Sequence, residues 1–347
     1  MTLGSEGVAD AVIRWQKLHG RQHLPWQHTR DPYRVWLSEI MLQQTQVSTV
    51  LDYYQRFLAR FPDVRSLAAA DLDDVLSAWS GLGYYSRARN MHRCAIEVVA
   101  HHGNEFPRSA AQLQALPGIG RSTAAAIAAF CFSERVAILD GNVKRVLSRV
   151  LAFDADLAVP ANTNLLWDQA TDLLPQTALE DAMSRYTQGL MDLGATVCAR
   201  RDPACTDCPL GNMCRAKRFG NPNDYPVKSR KLKRSSVSLW LLHATTLDAA
   251  VWLEKRPTPG VWAGLYCLPV FESRQALETR VPARYRRYLQ DSQPFLHVLT
   301  HRDLHLHRVQ VTLPGGDLGG ESGAWFKAGT WSALGLPAPI RKLLNAT

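Results

Sequence analysis

Four thiols crowded into one short stretch constrain this chain more than any other feature. Cys198, Cys205, Cys208 and Cys214 follow the spacing C-x6-C-x2-C-x5-C, whereas the other three of the seven cysteines, Cys94, Cys131 and Cys267, are scattered. Thiolates this close repel one another unless a soft metal neutralises them, so the cluster points to zinc or an iron–sulfur centre, and spacing does not choose between the two. The pattern is not an even disulfide framework, and a reducing, cytoplasmic setting is expected. The opening "MTLGSEGVAD" is polar and acidic, unlike a secretory leader, and no run of about 18 apolar residues is available to span a membrane. Between the first two cysteines, "ARRDPA" carries Arg200 and Arg201, which a metal-stapled loop would present to phosphates.

Charge adds to this. The 347 residues carry a formal net charge of +9, which favours a polyanionic partner without requiring one. The organisation is multidomain. The first two-thirds read as helices. "VADAVIRWQKL" has helical apolar spacing, and Asp31 with Pro32 opens "DPYRVWLSEIMLQQ". Asp71 opens "DLDDVLSAWSGLG", and Ser109 with Gln112 forms a capping box. The texture changes at "PVKSRKLKRSS", where Lys228, Arg230, Lys231, Lys233 and Arg234 mark an exposed linker. Strand-like runs follow in "VSLWLLHAT", "AAVWLEKR" and "HLHRVQVTL". An all-α domain over 1–225, a basic linker over 226–235 and an α+β domain over 236–347 are therefore expected.

Two further patterns carry chemistry. In "LPGIG", Gly118 and Gly120 permit a tight turn at a helix N-terminus, where backbone N–H groups and the dipole suit a phosphate; a plain helix–turn–helix corner is the alternative. Glu39 lies among Val35, Trp36, Ile40 and Leu42, and burial there would raise its pKa and keep it protonated. Asp140 precedes Gly141-Asn142, a turn whose N–H groups would hold it ionised. Carboxylates pushed apart in pKa form an acid/base pair. A solvated helix-face Glu and a capping Asp are the alternatives.

Together the motifs resemble a known family. "LPWQHTRDPYRVWLSEIMLQQTQV", "WSGLGYYSRARN", "LPGIGRSTA", "ILDGNVKRV" and the cysteine cluster occur in the order seen in the MutY-type adenine glycosylases of the helix–hairpin–helix superfamily. The resemblance runs from about Leu24 to Cys214 and continues more loosely into a Nudix-like domain. It implies an all-α helix–hairpin–helix glycosylase domain with a 4Fe-4S cluster on the four cysteines, then an α+β Nudix-like domain. The implied partner is double-stranded DNA bearing adenine opposite 8-oxoguanine or guanine; a monomer is the default expectation for an enzyme that distorts a duplex. An endonuclease III-like pyrimidine-lesion glycosylase/lyase and a non-catalytic DNA-binding iron–sulfur protein are the alternatives.

The resemblance also assigns roles. Glu39 would protonate adenine at N7, and Asp140 would stabilise the positive charge left on the sugar, by the logic of glycoside hydrolysis. Leu42 would help to line the pocket for the flipped base, with Gln44 and Tyr84 as wedges in the duplex; a core position is the alternative for Tyr84. Gly118, Gly120, Ser122, Asn142 and Lys144 would contact DNA. Ser122 stands where related lyases carry the lysine that attacks the sugar, so a monofunctional enzyme is expected, with Lys144 able to trap product adventitiously. A Phe-Ser-His loop that reads 8-oxoguanine corresponds to Leu299, Thr300 and His301, which keeps a hydroxyl and the histidine but loses the phenyl group. His297, His301, His305 and His307 read as a histidine-rich strand and loop rather than a metal site. The acidic Nudix signature is missing around "GLYCLPVFESRQALETR", so no nucleotide hydrolysis is expected.

Overall fold

The computed structural model describes residues 7–229, 234–316, 318 and 323–346. The start of "MTLGSEGVAD" and the linker residues Arg230, Lys231 and Lys233 lie outside them. The helices are α1 (Val8–His19), α2 (Pro32–Leu42), α3 (Val47–Arg60), α4 (Val64–Ala69), α5 (Leu72–Ala78), α6 (Ser86–His101), α7 (Ala110–Ala115), α8 (Arg121–Phe132), α9 (Gly141–Leu151), α10 (Pro160–Asp172), α11 (Leu179–Thr196) and α12 (Arg215–Arg218). Strands β1 (Ser235–Thr245), β2 (Val251–Lys255), β3 (Tyr266–Cys267) and β4 (Val270–Phe271) come next, then α13 (Arg274–Arg280). The chain ends with β5 (Gln290–Asp291), β6 (Phe295–Val298), β7 (Arg302–Thr312), β8 (Gly323–Phe326) and α14 (Ala338–Asn345). Among the described residues no helix is long and apolar enough to cross a membrane.

The chain divides into two compact units, one comprising Met1–Ala68 and Arg93–Lys231, the other Ala69–His92 and Leu232–Thr347. In this division residues 69–92 of the helical part group with the C-terminal sheet. There the Lys255 ammonium donates to Asp73 Oδ1 at 2.5 Å, and the Tyr85 and Ser80 hydroxyls both donate to the Leu336 carbonyl at 3.0 Å.

In the first unit α8 is the central helix. Its run from Thr123 to Ala129 is buried, and the small alanines let neighbouring helices approach closely. The caps follow the sequence in part. The Tyr33 amide donates to Asp31 Oδ1 at 2.9 Å, as expected. Asp71 occupies the N-cap of α5 without a side-chain hydrogen bond. At Ser109 the hydroxyl accepts from the Gln112 amide but donates to Gln112 Oε1 at 2.9 Å, so Gln112 is not reaching back to the Ser109 backbone as a capping box requires. The start of the expected linker is tied down: the Leu157 amide donates to the Val227 carbonyl at 3.0 Å, and the Ser229 amide to Asp156 at 3.1 Å.

The second unit is built on a mixed sheet ordered β3-β2-β1-β7-β5. β1 and β7 run parallel in register from Ser235↔Arg302 to Thr245↔Thr312. One face buries Leu241, Leu253, Leu304 and Leu306 under α14; the other buries Leu242, Val309 and Val311 with Leu277 of α13. β6 and β7 form a tight hairpin with Thr300 and His301 exposed at its tip, closed by the Leu299 amide donating to the Arg302 carbonyl at 2.8 Å. Arg234 leaves the expected linker to pair with Asp303 beside that tip. His307 is not free on its strand: it stacks on Trp240 at 4.5 Å.

Candidate active site and nucleic-acid interface

Glu39 sits in the last turn of α2. Trp36, Leu37, Ile40 and Met41 bury the inward side of that helix, and Glu39 lines a cavity of about 440 Å³ with Trp26, Gln27, Ser38, Phe130, Ser184 and Gln188. Burial, and then the charge of Asp140, push the Glu39 carboxyl up to about 8. A carboxyl there is largely protonated at neutral pH and can serve as an acid.

Asp140 is the N-cap of α9, and the Val143 amide donates to its Oδ1 at 2.7 Å. The amides expected to hold it ionised are therefore present. The net direction is nonetheless upward, because burial outweighs the Val143 and Asn142 amides and the charges of Arg145 and Lys144. Burial raises both carboxyls, so the expected depression of Asp140 is not found. Asp140 is near enough to Glu39 to raise it, so the structure brings the two predicted carboxyls into one electrostatic site.

The LPGIG turn between α7 and α8, here called the hairpin, lies in the same unit. Gly118 takes a φ of +78°, which favours glycine. Gly120, the N-cap of α8, has an extended backbone, and a Cβ added there would meet nothing within 4 Å. Ser122 follows in the first turn. Lys144 is half-buried, and burial followed by the charge of Lys228 lowers its pKa. Asn142 accepts from Arg145 at 3.0 Å. Leu42 ends α2, and Gln44 just beyond is exposed in the left-handed region with a φ of +56°.

Tyr84, Thr300 and His301 belong to the second unit. Tyr84 is 40% exposed, not a core aromatic, and its φ is +47°. Its hydroxyl hydrogen-bonds the Thr300 hydroxyl. Arg87, which sequence reasoning missed, holds this turn: its guanidinium donates to the Leu82 and Gly83 carbonyls at 3.1 and 3.2 Å and lies over the Trp79 and Tyr84 rings. Its place three residues after Tyr84, on the first turn of α6, was the signal available.

All four clustered thiols line one small cavity, and none is in a disulfide. Burial, followed by the neighbouring cysteines, pushes Cys208 up to about 11, and burial also raises Cys214. Such thiols become thiolates only beside strong positive charge, which a bound metal supplies. Among the described residues no three metal-ligating side chains converge on a single-ion position. The donor set itself, four sulfurs sharing one cavity, suits an iron–sulfur cluster. Arg149 was also missed. It is 2% exposed and donates to Cys198 Sγ at 3.2 Å, to the Ala199 carbonyl at 2.7 Å and to the Pro222 carbonyl at 2.7 Å. Arg145, one turn earlier, donates to the Cys198 carbonyl at 2.9 Å. The helix that Asp140 caps thus also secures the cysteine loop, and Arg200 and Arg201 are exposed as expected.

Comparison with known proteins agrees with this geometry. Residues 37–168 match the HhH-GPD superfamily of base excision DNA repair proteins, and residues 241–346 match the NUDIX domain. An adenine DNA glycosylase of Buchnera aphidicola subsp. Baizongia pistaciae is 33% identical over 341 residues, covering 96% of this chain and 95% of its own. That of Mus musculus is 44% identical over 214 residues, covering 59% of this chain and 41% of its own. Among solved structures, a thermostable thymine-DNA glycosylase aligns with a TM-score of 0.53 at 26% identity, over 61% of this chain and 95% of that one. Likeness to a full-length relative at this identity shows that the chain belongs to the adenine DNA glycosylase family.

Proposed function

We propose that this protein is a monofunctional adenine DNA glycosylase that removes adenine paired with 8-oxoguanine or guanine in duplex DNA and so initiates base excision repair. The observation that carries this reading is the Glu39 carboxyl, held near a pKa of about 8 in a cavity under the influence of Asp140. Adenine is a poor leaving group as an anion. Glu39 delivers a proton to N7 of the flipped base, the glycosidic bond breaks, and positive charge develops on the sugar. Asp140 stabilises that charge until water adds at C1′ and gives its proton to the Glu39 carboxylate. Leu42 borders the base pocket, and Gln44 and Tyr84 fill the space the base leaves. Gly118, Gly120, Ser122, Asn142 and Lys144 hold the backbone, and Thr300 with His301 reads the base opposite.

Cys198, Cys205, Cys208 and Cys214 would hold a 4Fe-4S cluster. When bound, it supplies the positive charge that keeps four sulfurs as thiolates and so staples the loop bearing Arg200 and Arg201. Arg149 and Arg145 fix that loop to α9 independently of the base-release step.

A single-turnover assay on a duplex with one 8-oxoguanine·adenine pair, divided into portions with and without hot alkali, tests the proposal. Cleavage at the adenine only after alkali is the expected result. Cleavage without alkali would make the enzyme a lyase, with Lys144 the first residue to replace, and DNA binding with no base release would leave only a DNA-binding role.

A further inference from the structure

The short helix α12, RAKR, carries Arg215, Lys217 and Arg218 directly after the last clustered cysteine, and Cys214 is its N-cap. Arg215 and Arg218 are exposed, as charges on a surface turn ordinarily are. Lys217 differs from them. It is half-buried and lines the same cavity as Cys198, Cys205, Cys208 and Cys214. A lysine stem is flexible and normally carries its ammonium out to water. Here the ammonium is turned inward over Gly211, which lines the cavity too.

Gly211 makes room for that ammonium. A Cβ at this position would stand 2.9 Å from Lys217 Nζ and 3.1 Å from the Cys205 and Cys208 carbonyl oxygens. The Gly211 amide donates to the Cys208 carbonyl at 2.9 Å, so the glycine is held against the cysteine loop. A side chain there would push the ammonium away from the second and third cysteines. Among the described residues no salt bridge joins Lys217 to a carboxylate. A charge drawn in from water is costly unless an opposite charge meets it. Arg149 takes the matching part at the first cysteine, where it donates to Cys198 Sγ at 3.2 Å. Thiolates from all these cysteines carry more charge than the iron and sulfide they would enclose, so the group they suit is anionic overall. The charges and donors around such a group help to set its reduction potential.

We propose that Lys217 is the inward-facing counter-charge of the iron–sulfur site, positioned by Gly211, and that it favours the reduced state of the bound cluster. This rests on the reading above that the four cysteines hold a 4Fe-4S cluster. The test is voltammetry of the full-length, cluster-loaded protein without DNA, with the electrode as electron donor. K217M keeps most of the stem and removes the charge. An added electron then meets less positive surroundings, and the redox equilibrium is expected to move about tenfold toward the oxidised state, a potential about 59 mV lower. K217R keeps the charge and is expected to stay within about threefold of the wild type. G211A keeps the lysine but displaces its ammonium, so its potential falls between those of the wild type and K217M. In K217M/G211A the glycine change adds nothing further, because no ammonium remains to be moved. A lysine that only packs would leave K217M at the wild-type potential, and that result overturns the proposal. An equal shift in K217M and K217R overturns it as well. Should K217M fail to retain its cluster, G211A decides, and a wild-type potential there overturns the proposal. Wild-type protein without iron and sulfide would defeat the cluster reading and this inference with it, whereas a bound cluster indifferent to Lys217 overturns this inference alone.

Discussion

The Tyr84 hydroxyl hydrogen-bonds the Thr300 hydroxyl, joining a strained turn of the helical sequence to the tip of the β6–β7 hairpin. Tyr84 is held in a left-handed conformation, which Arg87 fixes through the Gly83 carbonyl. In the proposed function the Tyr84 wedge and the Thr300 loop would therefore act as one piece. Tyr84→Phe and Thr300→Ala each break the bond, and each should lower the preference for 8-oxoguanine·adenine over guanine·adenine about fivefold, the worth of one hydrogen bond of about 1 kcal/mol. The double variant should be little worse than the singles. The ratio of kcat/KM on the two substrates measures this; strictly multiplicative losses would show that the two residues work separately.

Glu39 predicts two effects of pH, in different ranges. As an acid it works while protonated, so base release should hold below about pH 8 and fall as pH rises through its pKa of about 8. Glu39→Gln should bind DNA and release almost no base. For stability, a carboxyl raised in the folded state binds more protons folded than unfolded, so rising pH costs stability from about 4.5, its ordinary value, to about 8. Glu39→Gln should therefore melt a few degrees above the wild type at pH 8, the gap closing as pH falls toward 4.5. Matching melting curves across that range would mean that the carboxyl is not raised.

Arg149 should matter more to structure than to the chemical step. Removing its buried guanidinium leaves the Ala199, Pro222 and Arg200 carbonyls without that donor at partly buried hydrogen bonds. Arg149→Met should cost about 3 kcal/mol or more in stability and expose the cysteine loop to alkylating reagents. Arg149→Lys should rescue little, because one ammonium cannot reach all of these acceptors. Chemical denaturation and the rate of thiol labelling measure both effects.

What the sequence made legible was local. Cysteine spacing, the Asp31 cap and the alternation behind β1 and β7 depend on neighbours within a few residues, and each appears in the fold. Burial was not local. The amides around Asp140 were readable, but the buried surroundings that outweigh them come from distant elements. Nothing local marks Arg149, because the Cys198 loop that folds back against it lies far along the chain. The packing of residues 69–92 with a sheet that begins at Ser235 leaves no mark in either segment alone.

The two hairpin glycines can be told apart by the same substitution. Gly118 has a φ of +78°, so Gly118→Ala should strain the turn by about 1–2 kcal/mol and lower both stability and DNA affinity. Gly120 has a φ of −83° and a ψ of 166°, which any residue adopts, and open space where a Cβ would stand. The fold alone gives no reason for glycine there. A phosphate drawn against the N-terminus of α8 does, because a methyl group would hold the backbone amides away from it. Gly120→Ala should thus keep its melting temperature and still lose affinity for duplex DNA, with base release normal once the DNA is saturating. Unchanged affinity in Gly120→Ala would mean that the phosphate contact lies elsewhere on the hairpin.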